Sequence, residues 1–389
     1  DYFDQIYSSL INNENLLGGN INDHDRKLIM DQLGVAASSY RNTIYKNGFS
    51  GDKSLISKKE ILEFINITIK FLNHSIKSNK RSDGLYHAYN LITIHDSAVE
   101  ISYLPEMLEG QVAILSSGAL STNENLEVLN NLRNSKLFRP DQYSYLLYPN
   151  KNLPGFLEKN NIHETDVLGS KFLTSLVEEG NKQIIVKDCH GGYHFNGLFN
   201  NINSLVDEIK KLPEKYTDLV KKERDYVYDL FEKVFDHKSF TGRSGTFYGY
   251  EGLGSIYWHM VSKLQLAVYE VTSKAIKSKD DKKTIGKLFD HYFEINEGIG
   301  VNKSPDLYGA FPTDPYSHTP FGRGAQQPGM TGQVKEDIIS RFGELGLRVF
   351  DGKISFDPSI LRKDEFNLTE SIFKYVDYNS KIKLMNLNK

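Results

Sequence analysis

Apolar residues recur at helical spacing along most of the chain. The strongest stripe runs from Ile61 to Ile76 at intervals of three and four residues, and Ser57 with Glu60 forms a capping-box pattern just before it. This pattern predicts an amphipathic helix over about residues 59–79. The same spacing predicts helices over residues 2–17, 24–33, 105–117, 122–132, 153–161, 164–179, 201–211, 214–236, 252–277, 280–295 and 333–343.

A few short stretches have strand patterns instead. Residues 91–94 form a short apolar run, and residues 348–356 alternate around an Asp351-Gly352 turn. Asp-Gly between alternating apolar residues is the strongest local signal of a β-hairpin. The C-terminal tail from Phe373 alternates in the same way. Because strands and helices do not alternate along the chain, we expect small hairpins rather than a parallel sheet.

The number of helical segments predicts a mainly α fold. Adjacent helical hairpins fit a helical toroid with small β-hairpin elements, in which an inner and an outer ring of helices gather long loops at one end. A two-domain helical bundle is the alternative. We predict three parts: an N-terminal helical segment (1–58), the toroid that carries the site (59–347), and a short C-terminal β appendage (348–389) or the first part of a longer β domain.

Composition and charge limit the functional classes to which this sequence can belong. The formal net charge of −3 over 389 residues and the pI near 6.5 do not favour nucleic acid or an anionic membrane as a partner. No apolar run approaches the roughly 20 residues that span a bilayer. Cys189 is the only cysteine, which excludes an intrachain disulfide. The chain starts at Asp1 without an initiator Met, so we expect a processed or truncated N-terminus, and compartment and oligomeric state stay open.

Two stretches concentrate glycine, aromatic and acidic residues. Residues 241–266 combine a glycine-rich loop with Glu251 just before a predicted helix, where the helix dipole favours negative charge. Residues 298–333 form a long loop dense in glycine and proline, and loops of this length are usually functional or disordered. Its aromatic residues argue against disorder. We therefore expect the two stretches to meet in one site.

Two segments that overlap these stretches resemble the six-hairpin, (α/α)6-toroid carbohydrate-active enzymes. They are GYEGLGSIYWHMVSKL and DLYGAFPTDPYSHTPFGRGAQQPGMTGQVKEDIISRFGELG. That group contains glycoside hydrolases and disaccharide phosphorylases. The resemblance lies in an acid before an inner helix, in aromatic Gly/Pro loops and in a β appendage, and it extends over about residues 59–350. It implies a saccharide substrate but does not identify the nucleophile, the acid or the base.

Hydrolysis of a glycosidic bond uses two carboxyl groups, about 5 to 9.5 Å apart. The candidates in glycine-rich and aromatic loops are Glu251, Asp306 and Asp314. Burial among aromatic rings would raise the pKa of Glu251 and suit it to act as general acid, with one of the aspartates as base or nucleophile. The alternatives are a glutamate that satisfies the helix dipole and aspartates that form ordinary turns.

Further polar and aromatic residues are candidates for substrate binding. Aromatic rings offer flat faces for stacking, and Arg, His, Gln and Asp side chains exchange hydrogen bonds with hydroxyl groups. The candidates are Arg243, Tyr248, Tyr250, Trp258, Tyr308, Tyr316, His318, Gln326, Gln327 and, in a separate loop, Asp188 and His190. Gly191-Gly192 directly after His190 disfavour a helix, which argues against two metal ligands at helical spacing here. We expect no metal and no other cofactor.

Three functions are compatible with these residues. The first is a carbohydrate-active enzyme that hydrolyses a glycosidic bond in a poly- or oligosaccharide through Glu251 and a loop aspartate. The second replaces water with phosphate, since Arg243 near the helix start would help to bind an anion. The third is a non-catalytic glycan-binding or scaffold protein, which would lack a carboxylate partner for Glu251.

Overall fold

The computed structural model describes residues 2–51, 53, 55–150, 154–236, 254–299, 303–308, 318–319 and 331–388. Helices make up 56% of it, which confirms the mainly helical class. The described helices are α1 (Tyr2–Asn12), α2 (Asp23–Asn47), α3 (Lys58–Ser78), α4 (Leu108–Ser116), α5 (Thr122–Arg133), α6 (Phe156–Lys159), α7 (Glu164–Leu168), α8 (Lys171–Glu178), α9 (Ile202–Lys210), α10 (Thr217–Phe235), α11 (Trp258–Ser278), α12 (Lys282–Glu297), α13 (Pro305–Tyr308) and α14 (Thr331–Glu344).

Throughout the described ranges, the strands pair as two-stranded antiparallel ladders. The pairs are β1 (Asn90–Ile94) with β2 (Val99–Tyr103), β3 (Phe138–Arg139) with β4 (Ser144–Tyr145), β5 (Ile185–Lys187) with β6 (Tyr193–Phe195), β7 (Ile256–Tyr257) with β8 (His318–Thr319), β9 (Leu347–Phe350) with β10 (Lys353–Phe356), and β11 (Ser371–Val376) with β12 (Ile382–Leu387). The small hairpins predicted from alternation are thus confirmed.

Local chemistry sets several of these boundaries. The capping box predicted before α3 is present, with the Ser57 backbone N–H donating to Glu60 Oε2 at 2.8 Å. Ser121 and Glu124 form a second capping box before α5. Each box satisfies backbone donors that the first turn of a helix leaves unpaired. Both helices therefore begin where the sequence pattern places them.

The hairpin of β9 and β10 turns at Asp351 and Gly352, as predicted. Both residues have positive φ, 50° and 69° respectively. A two-residue turn with positive φ at both positions matches the right-handed twist of the flanking strands, and Asp-Gly adopts it at low cost. The turn chemistry alone therefore determines the register in which Phe350 pairs with Lys353.

One apolar core is built around α11. Trp258, Leu264 and Val268 on this helix are fully buried, and α11 packs against α4, α12 and α14. The apolar positions predicted on most sides of this helix are thus buried. The helix begins at Trp258 rather than near residue 252, because residues 256–257 pair as a strand with residues 318–319.

A second apolar core lies within residues 154–236. Phe172, Phe195 and Phe231 are buried in it. The rings of Phe195 and Phe231 meet edge to face, with centroids 5.0 Å apart. The same segment contains helices α6 to α10 and the β5–β6 hairpin. It has the separate core that characterises an independent structural unit.

The arrangement of the helices as a closed toroid stays a prediction, as do the boundaries after residues 58 and 347. The described contacts establish packed helical neighbours around α11. The structure adds one feature inside the predicted 59–347 part, namely the second core of residues 154–236.

Candidate functional site

The two loop stretches singled out in the sequence meet at the start of α11. Tyr257 pairs with His318, and Ile256 pairs with Thr319, in the short β7–β8 ladder. Residues 256–257 precede the first helical residue, and residues 318–319 lie in the long Gly/Pro loop. The backbone of the long loop therefore returns to the end of α11 that the sequence analysis selected.

An aromatic pair lies directly behind this ladder. Trp258, the first residue of α11, and Tyr308, the last residue of α13, are both buried, and their ring centroids are 5.3 Å apart in an edge-to-face arrangement. Both residues are substrate-binding candidates from the sequence. In the structure their rings pack against each other in the core.

Lys303 is a charged residue at this site that the sequence analysis did not select. Its side chain is buried, and its Nζ lies 4.6 Å from the centroid of the Trp258 ring. Nζ donates a hydrogen bond to Gln142 Oε1 at 3.3 Å. Burial, together with the nearby Arg139 guanidinium, lowers the pKa of Lys303 to about 7, and Asp141 only partly opposes this shift. Its sequence context, a lysine beside a loop, carries no signal of burial.

Arg139 adds a second buried cation near Lys303. Its Nε donates to Asp141 Oδ1 at 2.9 Å, and its Nη2 donates to Asp141 Oδ2 at 3.0 Å. The Arg139 side chain is 5% exposed, whereas that of Asp141 is 51% exposed. The buried end of this ion pair is therefore the cation, and the carboxylate points toward water.

Of the three carboxylate candidates, Asp306 is in the described part of the chain. It lies in the first turn of the short helix α13 and is exposed. It is two residues before Tyr308, so it lies close to the buried aromatic pair along the chain. Eight of the sequence candidates fall outside the described residues, namely Glu251, Asp314, Arg243, Tyr248, Tyr250, Tyr316, Gln326 and Gln327. The convergence of Glu251 with an aspartate stays a prediction.

Asp188 and His190 lie elsewhere, in the loop between β5 and β6 of the second core. Asp188 Oδ1 accepts backbone hydrogen bonds from His190 and Gly192, both at 2.8 Å. Asp188 Oδ2 pairs with His194 Nε2 at 2.9 Å. A Cβ at Gly192 would lie 2.9 Å from Asp188 Oδ2, so a larger residue here would displace the Asp188 carboxylate. Asp188 thus organises a tight turn.

His194 is held by acceptors on both ring nitrogens. Its Nδ1 lies 2.6 Å from the backbone oxygen of Asn160, and its Nε2 faces the Asp188 carboxylate. Both contacts are hydrogen bonds only when the ring is a doubly protonated imidazolium. Partial burial opposes the charge, but the bonds to Asp188 and Asn160 prevail and raise the pKa of His194.

The Asp188–His194 pair predicts a pH window of stability. The hydrogen bonds that Asp188 accepts from His194 and from the backbone of Gly192 outweigh a small burial effect and lower the pKa of Asp188 to about 2. The stability that Asp188 contributes is therefore complete above its unfolded pKa of about 3.9 and is lost as pH falls through the folded value. The contribution of His194 is complete below its unfolded pKa of about 6.5 and is lost as pH rises through its higher folded pKa. We expect the urea midpoint of the second core to fall above neutral pH.

Asp188→Asn tests this assignment. The asparagine keeps an oxygen for the turn but removes the charge that holds the imidazolium, so the fall in urea midpoint above neutral pH should become shallower. Asp207→Asn, at an exposed residue of α9, is the control and should keep the wild-type pH dependence. An unchanged pH dependence in Asp188→Asn would contradict the pairing.

Two kinds of feature, a metal-ligand cluster and a membrane-spanning helix, are not found among the described residues. No group of three or more His, Cys, Asp or Glu side chains among the described residues has a metal-binding arrangement. Among the described helices, none has the length and apolar character of a membrane span.

Comparison with known proteins gives one match, and it falls on the second core. Residues 153–238 match the family model described as GH149 phosphorylase insertion domain 2. The residues of the second core, 162–235, lie entirely within this match. No curated protein matches the chain. The matched segment suggests a carbohydrate-active enzyme of the glycoside phosphorylase or hydrolase type, with a saccharide substrate.

Proposed function

We propose that this protein acts on a poly- or oligosaccharide as a glycoside phosphorylase, cleaving a glycosidic bond with inorganic phosphate as the acceptor. The observation that carries this proposal is the match of residues 153–238 to an insertion domain described as belonging to a phosphorylase. Because that segment has its own buried core, the match corresponds to a complete folded unit rather than to a scattered pattern.

The chemistry assigns roles to the loop residues at the start of α11. In phosphorolysis, a carboxylic acid gives its proton to the leaving glycosidic oxygen, and a phosphate oxygen forms the new bond to the anomeric carbon. We assign the acid to Glu251, which precedes α11. The reaction needs one carboxylic acid and a cationic environment for phosphate, and the buried amine of Lys303 lies against Trp258 at this helix start, with Arg139 near it.

Hydrolysis is the second candidate, and the exposure of Asp306 favours it. A hydrolase needs a second carboxylate that activates water or attacks the sugar. Asp306 is exposed in the first turn of α13, where water has access to it, and Asp314 follows on the same loop. In a hydrolase, Glu251 would remain the general acid, and Asp306 or Asp314 would be the second carboxylate.

The experiment is a comparison of products with and without phosphate. Purified protein is incubated with a panel of oligosaccharides, and sugar phosphate and free reducing sugar are quantified separately. We expect sugar phosphate to form only when phosphate is present. Cleavage that is equal in phosphate-free buffer would replace phosphorolysis with hydrolysis. Binding of an oligosaccharide without any cleavage would support the non-catalytic alternative and refute both enzymes.

A further inference from the structure

We propose that Lys303, with Arg139 and the amide of Gln142 beside it, forms a binding site for a compact oxyanion at the start of α11. The ligand chemistry is a phosphate group, supplied either by inorganic phosphate or by a phosphorylated sugar. The choice of phosphate over other oxyanions rests on the proposed phosphorolysis. The existence of an anion site rests on the structure alone.

The charged form of Lys303 needs compensation at the place where this residue lies. Its side chain is buried, and burial of an ammonium group is costly unless an opposite charge or hydrogen bonds compensate for it. Within the described ranges, its contacts are the Gln142 amide oxygen and the face of Trp258. No carboxylate of those ranges forms an ion pair with it. Without such compensation the amine loses its proton more readily, as its lowered pKa shows, and a bound anion would hold it in the charged form.

Lys303 lies against the end of a helix. α11 is 21 residues long and begins at Trp258, whose ring lies under the Lys303 ammonium. The N-terminus of a helix carries partial positive charge and favours anions. A buried cation at this end is therefore repelled by the helix as well as by Arg139. An oxyanion bound by the Lys303 ammonium would also be favoured by this helix end.

The polar neighbours of Lys303 are held by hydrogen bonds to other groups. Gln142 Nε2 donates to the backbone oxygen of Leu307 at 2.6 Å, which leaves Oε1 to accept from Lys303. An ammonium group has three N–H donors, and the contact to Gln142 uses one of them. Asp141, the carboxylate that acts on Lys303 from the neighbouring turn, is already bound by Arg139. The remaining donors of Lys303 therefore suit an anion from outside.

The test uses the fluorescence of the single tryptophan, Trp258, because Lys303 lies against its ring. Inorganic phosphate is titrated into the 389-residue protein at constant ionic strength, with glucose 1-phosphate as a second arm. We expect saturable changes in fluorescence that are stronger at about pH 6 than at about pH 8, since the ammonium form binds the anion. Saturation by inorganic phosphate alone, by glucose 1-phosphate alone or by both supports the site and identifies the source.

Lys303→Met should weaken phosphate binding by at least about tenfold, because it removes the charge and keeps a side chain that packs on an aromatic ring. Lys263→Met, at a partly exposed position of α11, is the control and should bind as the wild type does. Lys303→Arg keeps the charge and should retain binding. Far-UV circular dichroism checks that each variant is folded.

Two results would overturn the proposal. One is the absence of saturable binding of either phosphate compound to the wild type at about pH 6, where the lysine is charged. The other is equal phosphate affinity in a folded Lys303→Met variant. The test is separate from the assay of cleavage. If phosphate binds through Lys303 but cleavage needs no phosphate, the site stands and the proposed phosphorolysis fails.

Discussion

Replacing Glu251 with glutamine should lower the turnover of the oligosaccharide substrate by about 10²- to 10⁴-fold, the range typical of a lost general acid. The amide has nearly the same shape but cannot donate the proton that the leaving oxygen needs. Because the change is isosteric, we expect the urea midpoint to stay at the wild-type value. Initial rates at saturating substrate, with and without phosphate, measure the effect.

Matched variants sharpen the assignment of Glu251. Glu270→Gln, at an exposed residue of α11, should keep the wild-type rate. Asp306→Asn and Asp314→Asn separate the two reactions, since a hydrolase loses activity with its second carboxylate and a phosphorylase does not need one in that role. Full activity of Glu251→Gln on the true substrate would refute the role of Glu251 in either reaction.

Replacing Trp258 with alanine should destabilise the first core by about 3–5 kcal/mol, the usual cost of removing a fully buried large aromatic side chain. Trp258 is fully buried. The change removes its contact with the Tyr308 ring and the aromatic face under the Lys303 ammonium. Urea unfolding followed by far-UV circular dichroism measures the loss, since the variant has no tryptophan left to report by fluorescence.

Two further variants are controls for this stability prediction. Trp258→Phe keeps an aromatic face and should cost clearly less than the alanine variant. Tyr45→Ala, at a side chain that is 82% exposed, should change the free energy of unfolding by less than about 0.5 kcal/mol. A loss below about 1 kcal/mol in Trp258→Ala would show that Trp258 does not anchor this core.

The sequence is most informative where the deciding interactions are local. Ser57 with Glu60 and Ser121 with Glu124 cap helices within a single turn, so residue type and spacing are sufficient to locate those starts. Asp351-Gly352 forms a two-residue turn whose backbone angles follow from the residues themselves. Helical spacing also located most helices, although α2 continues to Asn47, beyond the predicted end at residue 33.

Part of the site was also visible in the sequence. The two loop stretches were selected because they combine glycine, aromatic residues and acids, and the β7–β8 ladder joins their backbones. The pairing of Glu251 with a loop aspartate stays a prediction, since Glu251 and Asp314 lie outside the described residues. Asp188 was selected for its neighbours along the chain, whereas its partner His194 is recognised only from the folded turn.

By itself, the sequence determined the mainly helical class, the capped helix starts, the Asp-Gly hairpin and the two stretches that carry the candidate chemistry. Each of these depends on contacts between residues close together in the chain. The tertiary structure decided that Trp258 is a core residue, that α11 begins after a strand pair, and that Lys303 is a buried amine with a lowered pKa. Gln142 and Lys303 are far apart in sequence, so only folding shows that the amide of one meets the amine of the other.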